Sequence, residues 1–398
     1  MKKTLAALAV LGAFAGSAAA ADVTLYGDVD LGLKYAYSKT QDFDSAKDTD
    51  GTNSFEMASG INSASKFGLK GTEDLGNGFK VGFKLENGFA ADSGEFSQEN
   101  RLFGREASLS VYGPFGTVSF GRMGGLGSSA GTYDLVYAIG ESFDGGDEFV
   151  WGFAHSARYD NMVTYQTPQF AGLQVTAQYS FKNDSQAGDV KDASDNVVID
   201  GSKFVEGEST ADRYASVALT GEYGPAQFVA AYELTKYSTL YRAEIADLDD
   251  GNVFYLGGNY DFGVAKVFAL GQYFQGVRTF ADTFELSSID PADGKKGFKG
   301  YSLHLGTIVP VAGGELTVGA YYSDAKAKDL VENTEKYDQD LNYYGLAARY
   351  CYPLSSRTTV YFGAGYSEVT IDRTKYDAGN QDAKEKVGGA YVGVAHHF

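Results

Sequence analysis

Residues 79–86 read FKVGFKLE, with apolar side chains at every odd position and polar or small ones between them. Successive residues of a β-strand point to opposite faces, so this stretch predicts a strand with one apolar and one polar face. The same period recurs in 173–179 (LQVTAQY) and 360–366 (VYFGAGY), and no long window sustains helical spacing. The chain is therefore predicted to be all-β.

Composition excludes several classes of protein. The 398 residues include 33 Lys and Arg against 52 Asp and Glu, a formal charge of −19. A chain this acidic is a poor partner for nucleic acid, because phosphate binding needs clustered Lys and Arg. A single cysteine permits no internal disulfide and no zinc site of several thiolates. We predict no cofactor and no metal site.

The N-terminus predicts an export signal. A basic start (MKK) is followed by an apolar run of about ten residues (LAALAVLGAF) and then by small residues (GSAAAA). The run is too short to cross a hydrocarbon core about 30 Å thick. We therefore predict a signal peptide at 1–21, cleaved after Ala20 or Ala21, and one barrel domain at 22–398.

Alternation with one polar face also fits a soluble sandwich, so the partner of the apolar face must be decided. The predicted strands 22–37, 263–280 and 340–353 are long for a globular sheet. Tyr and Phe cluster at strand ends, as in the aromatic girdles of membrane barrels. An open sheet edge in hydrocarbon would leave backbone groups unpaired, so a sheet that faces lipid must close. These features favour a closed transmembrane barrel.

Short and long connections alternate along the chain, and their number predicts sixteen strands. Short turns are expected on one side of the membrane and long polar loops on the other. The interior of a sixteen-stranded barrel is too wide for side chains to fill, so it encloses an aqueous channel. The predicted turns are 74–78, 113–116, 168–172, 224–225, 261–263, 310–314 and 353–357. The predicted loops are 38–63, 90–104, 122–157, 182–212, 238–251, 281–299, 325–339 and 372–386.

Several stretches carry a family resemblance. Residues 22–33 (DVTLYGDVDLGL), 65–89 (SKFGLKGTEDLGNGFKVGFKLENGF), 102–122 (LFGREASLSVYGPFGTVSFGR), 159–181 (YDNMVTYQTPQFAGLQVTAQYSF) and 392–398 (VGVAHHF) resemble the general diffusion porins of Gram-negative outer membranes, above all the neisserial and beta-proteobacterial branch. The resemblance implies a sixteen-stranded homotrimer whose third extracellular loop folds inward to narrow each pore.

The longest predicted connection, about 122–157, is the candidate constriction loop. It is rich in carboxylates, and its Gly145-Gly146-Asp147 matches the Gly-Gly-Asp of the family's constriction loop. The resemblance also implies a basic wall opposite these carboxylates, and alternation places Lys66 opposite Phe67, and Arg158 opposite Tyr159. An ordinary surface loop with solvated acids is the alternative. The predicted acidic residues are Asp134, Glu141, Asp144, Asp147 and Glu148, and the predicted basic residues are Lys66, Arg105, Arg122 and Arg158.

Opposed charges in a narrow pore set a transverse field, which would favour dipolar solutes. Asp28 stands where enterobacterial relatives carry an inward lysine, and Asp30 shares its parity. Two extra carboxylates in the lumen predict a weak cation preference.

The stretch that begins at Glu106 breaks the alternation rule. If Arg105 faces the lumen, then Glu106, Ser108 and Ser110 face outward, where a carboxylate in lipid is costly. One explanation is a subunit interface on this wall, as the resemblance implies for the first strands. The other is an assignment that is wrong by one residue.

The last strand is predicted to close the sheet onto 22–37, with Val392, Val394, His396 and Phe398 on one face. The terminal Phe398 resembles the signal that the barrel-assembly machinery reads, so we expect its deletion to impair assembly.

The predicted function is a passive, non-enzymatic channel for ions and small hydrophilic solutes. Its predicted partners are outer-membrane lipid, lipopolysaccharide, the barrel-assembly machinery and two further copies of the chain. A substrate-specific channel and an outer-membrane enzyme or adhesin are the alternatives. The G-x-S-x-G match at 127–131 is weak evidence for a hydrolase, because a nucleophile elbow needs a strand–turn–helix setting.

Overall fold

The computed structural model describes residues 22–41, 43, 51–98, 100–154, 157–191, 195–244, 248–279, 296–332, 335–375 and 379–398. Within these ranges the helices are short: α1 (Val136–Gly140), α2 (Thr239–Glu244) and a 3-10 turn (Gly201–Lys203). None of the helices described is long and apolar enough to span a bilayer. The predicted signal peptide, 1–21, lies outside the described residues.

The strands are β1 (Asp22–Gln41), β2 (Thr52–Ser59), β3 (Lys66–Gly76), β4 (Phe79–Gly88), β5 (Glu106–Gly113), β6 (Gly116–Gly124), β7 (Arg158–Gln166), β8 (Leu173–Ser180), β9 (Val190–Lys191), β10 (Val197–Ile199), β11 (Arg213–Tyr223), β12 (Ala226–Lys236), β13 (Gly251–Asp261), β14 (Lys266–Val277), β15 (Phe298–Val311), β16 (Gly314–Glu332), β17 (Glu335–Ser355), β18 (Thr358–Lys375) and β19 (Gly379–His397).

These strands form a barrel wall with sixteen positions. β2 and β3 both pair with the same edge of β1, β2 along 31–38 and β3 along 22–28, so together they make one interrupted wall strand. β9 and β10 form a separate hairpin, and β8 pairs directly with β11. Apart from β1 and β19, all other neighbours in the wall are consecutive, and every pairing is antiparallel. The prediction of a sixteen-stranded antiparallel barrel is confirmed.

The first and last strands close the sheet. β1 pairs with β19 from Asp28 opposite His397 to Gln41 opposite Lys384. Beyond this ladder, Gly27 N donates to Phe398 O at 3.1 Å and Phe398 N donates to Gly27 O at 3.0 Å. A closed sheet leaves no edge with unpaired backbone groups, which is the condition for crossing hydrocarbon.

The apolar side chains lie on the outside of this barrel. Leu256, Leu305 and Leu346 are 69%, 63% and 59% exposed, while the preceding or following residues in the same strands point inward and are buried. A continuous apolar surface of this kind is rare on monomeric soluble proteins. Tyrosine pairs flank it, with ring centroids 6.1 Å apart for Tyr301 and Tyr322, and 6.3 Å for Tyr344 and Tyr366. The outer face is therefore built for lipid.

The predicted loops 325–339 and 372–386 are wrong, because strands run through most of their residues, and 38–63 is wrong in part, because strands cover 38–41 and 52–59. β17 alone has 21 residues, twice the 9–11 that a barrel strand needs to cross a bilayer. In these extensions the inner face is apolar, and Leu330, Leu341 and Ile371 are buried there. Their outer residues are polar because they stand in water above the membrane, and this polarity led to the wrong prediction of loops.

Candidate pore constriction

The connection between β6 and β7, residues 125–157, folds into the barrel; we call it the inward loop, and its residues 155 and 156 lie outside the described part. It contacts wall strands that are distant from β6 and β7, the strands it connects. Leu126 N donates to Tyr214 Oη of β11 at 3.2 Å, and Ala154 N donates to Gln272 Oε1 of β14 at 3.0 Å. Ser367 Oγ of β18 donates to Phe149 O at 2.6 Å. The alternative of an outward, solvated surface loop is therefore excluded.

Aromatic packing fixes one side of the inward loop. Tyr137 of α1 is fully buried, and its ring centroid lies 4.8 Å from that of Trp151 and 6.2 Å from that of Tyr255 on β13. Gly140 ends α1 close to the wall, because a Cβ there would lie 3.0 Å from Leu270 Cδ1. Buried aromatic pairs stabilise a fold beyond the effect of the surface area that they remove from water. This cluster therefore holds the loop to β13 and β14.

Two of the five predicted acidic residues hold the shape of the inward loop. Glu141 is 1% exposed and accepts hydrogen bonds from Phe143 N at 3.0 Å, Gly145 N at 2.8 Å, Gly146 N at 3.2 Å and Tyr321 Oη. Asp147 accepts from Tyr391 Oη and from Phe149 N at 3.3 Å. Burial raises the pKa of Asp147, and the bond from Tyr391 opposes that shift.

The other three predicted acidic residues are more open. Glu148 Oε1 is 2.7 Å from Lys34 Nζ of β1. Asp144 is exposed to solvent inside the barrel, and Asp134 is half-buried beside it. Desolvation by the surrounding protein inside the barrel raises the pKa of both Asp134 and Asp144, although the Asp144 side chain reaches solvent, and the charge of Asp144 raises the pKa of Asp134 further. This pair therefore holds a proton at pH values where free carboxyl groups have lost theirs.

The predicted basic residues lie on or beside neighbouring strands β3 to β7, and three of them are in ion pairs. Lys66 Nζ is 2.5 Å from Asp28 Oδ2, and Arg105 Nε is 2.7 Å from Glu86 Oε1. Lys84 and Glu106, which sequence reasoning did not select for the pore, pair at 2.9 Å. Arg122 pairs with Asp160 at 2.6 Å. The wall cluster, as we name it, consists of Lys66, Lys84, Arg105, Arg122, Arg158, Asp28, Glu86, Glu106 and Asp160.

Glu106, Ser108 and Ser110 face inward, so the prediction that they face outward is wrong. Glu106 Oε1 accepts from Thr132 Oγ1 of the inward loop at 2.7 Å, while Leu109, a residue of opposite parity in the same strand, is 50% exposed. Arg105 precedes β5 and lies outside its regular alternation. The assignment was therefore wrong by one residue, and these polar groups need no subunit interface to explain them.

The prediction from alternation that Tyr159 lies on the outer face, opposite Arg158, is also wrong. Tyr159, which it placed outside, packs within the barrel against Tyr214 at 4.4 Å between ring centroids. A register shift between Gly121 and Met123, and the positive φ of 52° at Asn161, mark a bulge in this strand pair. A bulge inserts an extra residue and so resets which residues face inward. Arg158 stays at the wall cluster, since Arg122 Nη1 donates to its carbonyl at 3.3 Å.

Asp28 and Asp30 both lie on the inner face, but neither is a free charge. Asp28 contacts Lys66 and His397. Asp30 is fully buried and accepts from Asn62 N at 3.0 Å, Ser63 N at 2.7 Å and Tyr361 Oη. The two carboxylates therefore add less to the lumen charge than the alternation alone suggested.

Sequence reasoning missed Arg349 of β17 as a basic group beside the inward loop. Its guanidinium lies 4.9 Å from the ring centroid of Phe143, and its charge acts on Asp147. The available signal was parity, since Arg349 shares a face of β17 with Ala347 and Tyr343, which are buried. Among the described residues, no group of three His, Cys, Asp or Glu side chains is placed to bind a metal ion.

A closed sixteen-stranded barrel with an apolar outer face and a charged loop folded inside defines the class of outer-membrane channels. The Gram-negative porin family model matches residues 6–372, and the chain belongs to that family. It is a non-enzymatic channel protein of the outer membrane, a porin whose lumen provides a path for passive diffusion.

Individual relatives agree along the whole chain. An outer membrane porin protein of Bordetella pertussis is 32% identical, and outer membrane porin protein 32 of Delftia acidovorans is 29% identical, each over 100% of both chains. Among solved structures, an anion-selective porin from Comamonas acidovorans superposes with a TM-score of 0.59 at 24% identity, over 95% of this chain and all of the other. A trimer form of the outer membrane protein OmpT of Vibrio cholerae gives 0.53 at 17% identity, over 94% and 99%. These structures support the fold.

Proposed function

We propose that ions and small hydrophilic solutes pass between the acidic side of the inward loop and the wall cluster. The observation that carries this proposal is the position of residues 141–154 of the loop, which contact β14 to β19 and β1, while the wall cluster lies on β1 and β3 to β7. Nearer the start of the loop, Thr132 bonds to Glu106 of the wall cluster, so the two sides converge there. Charges on opposite sides of a narrow lumen with low-dielectric walls act strongly on a permeating dipole. The constriction would therefore favour polar solutes that align with the field and disfavour apolar ones.

The charges of the constriction predict a weak preference for cations. The wall cluster sets five basic groups against four carboxylates, whereas in the part of the chain described the Lys and Arg side chains beside the five carboxylates of the inward loop are Lys34 and Arg349. Carboxylates are therefore in excess, and we expect K⁺ to permeate roughly two- to fourfold more readily than Cl⁻. Reversal potentials in planar bilayers under a KCl gradient measure this ratio. A reversal potential of the sign for anion preference would refute the assignment.

The Asp134–Asp144 pair predicts that selectivity depends on pH. Because the pKa of both groups is raised, the pair gains charge only as the pH rises above the usual carboxyl range, and cation preference should grow over that interval. The native state binds more protons than the unfolded chain there, so the same pair lowers the free energy of unfolding as the pH rises.

Asp144→Asn should flatten this pH dependence of the reversal potential, whereas Asp92→Asn, in an exposed part of the loop between β4 and β5, should leave it unchanged. Identical profiles for Asp144→Asn and the wild type would count against the pair.

We propose further that the working form is a homotrimer embedded in lipid and lipopolysaccharide, and that the barrel-assembly machinery reads Phe398. Deleting Phe398 removes two backbone hydrogen bonds and the ring that covers Gly27, so we expect a severalfold lower yield of assembled protein. Heat-modifiable mobility in gels gives that yield, and Phe398→Tyr, which keeps an aromatic ring, is the matched control. A normal trimer yield from the deletion would remove this role.

A substrate-specific channel is the alternative to a general one. It would appear as current that a single solute blocks saturably, whereas a general diffusion channel conducts in proportion to the bulk conductivity of the salt solution.

A further inference from the structure

The wall strand formed by β2 and β3 is interrupted by residues 60–65, which we call the insert. β2 and β3 both pair with β1, yet their registers differ by four residues, because Leu31 is opposite Ser59 and Asp28 is opposite Lys66. The extra residues leave the sheet on the inner side, since their partners Asp30 and Cys351 point into the barrel. The insert is therefore a second segment, besides the inward loop, that occupies the lumen.

Asp30 is the main anchor of the insert. Its carboxylate accepts the backbone N–H groups of Asn62 and Ser63 at 3.0 and 2.7 Å, and the hydroxyl of Tyr361 from β18. Its own backbone is bonded on both sides, with Gly60 N donating to Asp30 O at 3.1 Å and Asp30 N donating to Ser65 Oγ at 3.1 Å. A buried carboxylate that accepts several N–H and O–H donors is a strong, directional anchor.

Side-chain packing against β1 and β17 also holds the insert in place. Ile61 is buried, and a Cβ on Gly32 would lie only 2.8 Å from Ile61 Cδ1, so the glycine makes room for this side chain. Cys351 Sγ of β17 is 3.5 Å from Asn62 Oδ1. Of the remaining residues of the insert, Ala64 is exposed and Asn62 and Ser63 are half-buried.

The insert lies beside the tip of the inward loop. Tyr361, which bonds to Asp30, has its ring centroid 6.1 Å from that of Tyr391, which bonds to Asp147 of the inward loop. Phe149 of the inward loop packs on the same Tyr391 ring at 6.3 Å. The charge of Arg349 acts on Asp30 and Asp147 alike. Two anchored segments thus meet at one place on the inner wall.

We propose that the insert is a second constriction element of the pore, with Asp30 as its positioning residue and Asn62, Ser63 and Ala64 on the solute path. The inference rests on the proposed function, because it assumes that solutes pass the inward loop. It adds a neutral, hydroxyl- and amide-bearing border to a constriction otherwise lined by charges. Hydrogen-bonding groups on such a border contribute to the selection of uncharged polar solutes.

The test uses the full-length protein in planar bilayers, with cysteines modified by a cationic methanethiosulfonate reagent. The variant Ala64→Cys is made in a Cys351→Ser background, so that it carries the sole thiol. Modification should lower the K⁺ conductance in discrete steps, to about half its starting value, because bulk and positive charge are added to the solute path. Ser356→Cys in the same background, in the exposed turn between β17 and β18, is the matched control and should be labelled without a conductance change.

A third variant, Asp144→Cys in the same background, separates the two proposals. If Asp144→Cys responds to the reagent and Ala64→Cys is labelled without a conductance change, the insert is not a constriction element while the inward loop still is. If neither responds although both are labelled, the proposed solute path itself is wrong, and the inference falls with it.

The role of Asp30 has its own readout. Asp30→Asn, combined with Ala64→Cys, removes one acceptor and sets amide protons against the N–H groups of Asn62 and Ser63. We expect a severalfold change in the rate of Ala64→Cys modification while the heat-modifiable mobility of the folded barrel is unchanged. Equal modification rates with and without Asp30→Asn would overturn its role as the positioning residue.

Discussion

Replacing Gly27 by alanine should prevent most of the chain from closing into a barrel. A Cβ at this position would lie 2.4 Å from Phe398 Cζ and 2.5 Å from the backbone oxygen of Lys66, so it meets β3 on one side and the chain end on the other. The oxygen belongs to the ladder between β1 and β3 and cannot move without breaking it. We expect the free energy of unfolding to fall by about 3 kcal/mol or more, the upper range for overpacking.

Gly271→Ala is the matched control for Gly27→Ala, because it makes the same change in the middle of another wall strand. A Cβ there would meet nothing nearer than Leu303 Cδ2 at 3.6 Å, an ordinary contact. The fraction of folded barrel, read from heat-modifiable mobility across a urea series, should collapse for Gly27→Ala and match the wild type for Gly271→Ala. Equal folded fractions for the two variants would show that the pairing of β1 with β19, which closes the barrel, tolerates the extra atom.

Replacing Glu141 by glutamine should loosen the inward loop and widen the pore. Glutamine offers one oxygen where the carboxylate has two, and its amide group would set donors against Gly145 N and Gly146 N. A buried donor that loses its acceptor costs about 1–3 kcal/mol, so the turn at 143–146 should open while the barrel stays folded. We expect a larger and noisier single-channel conductance, by up to about twofold, as the loop leaves the wall.

Glu148→Gln separates this effect from a change of charge. It removes one negative charge from the same loop, but Glu148 makes an ion pair with Lys34 and accepts no backbone N–H of the loop in the part of the chain described. Glu148→Gln should therefore lower cation preference without raising the conductance or its noise. A quiet, wild-type conductance in Glu141→Gln would mean that Glu141 does not hold the loop.

Strand period and closure could be predicted from the sequence because one physical rule, alternation across a two-faced sheet, acts on every wall strand. The same rule failed at two kinds of place. Above the membrane the outer face turns polar, so β16 to β19 were cut short in the prediction although their inner residues, such as Leu341, stay buried. At the bulge near Asn161 an extra residue resets the faces, and no pattern in the sequence marks it.

The constriction, too, could be predicted from the sequence only in part. The inward loop and its acidic residues follow from the family resemblance, but their separation into anchors and open groups depends on partners that are distant in the sequence. Glu141 meets Tyr321, and Asp147 meets Tyr391, 180 and 244 residues away. Likewise Glu86 and Asp160 join the wall cluster through Arg105 and Arg122, partners that become neighbours only when β4 to β7 stand side by side.

Single-channel recording on the purified protein in a planar bilayer tests whether the wall encloses a column of water that is open at both ends. We expect stepwise insertions with an ohmic current that rises in proportion to the conductivity of the KCl solution. Protein that is folded by heat-modifiable mobility yet inserts without any current, at every salt concentration, would contradict it.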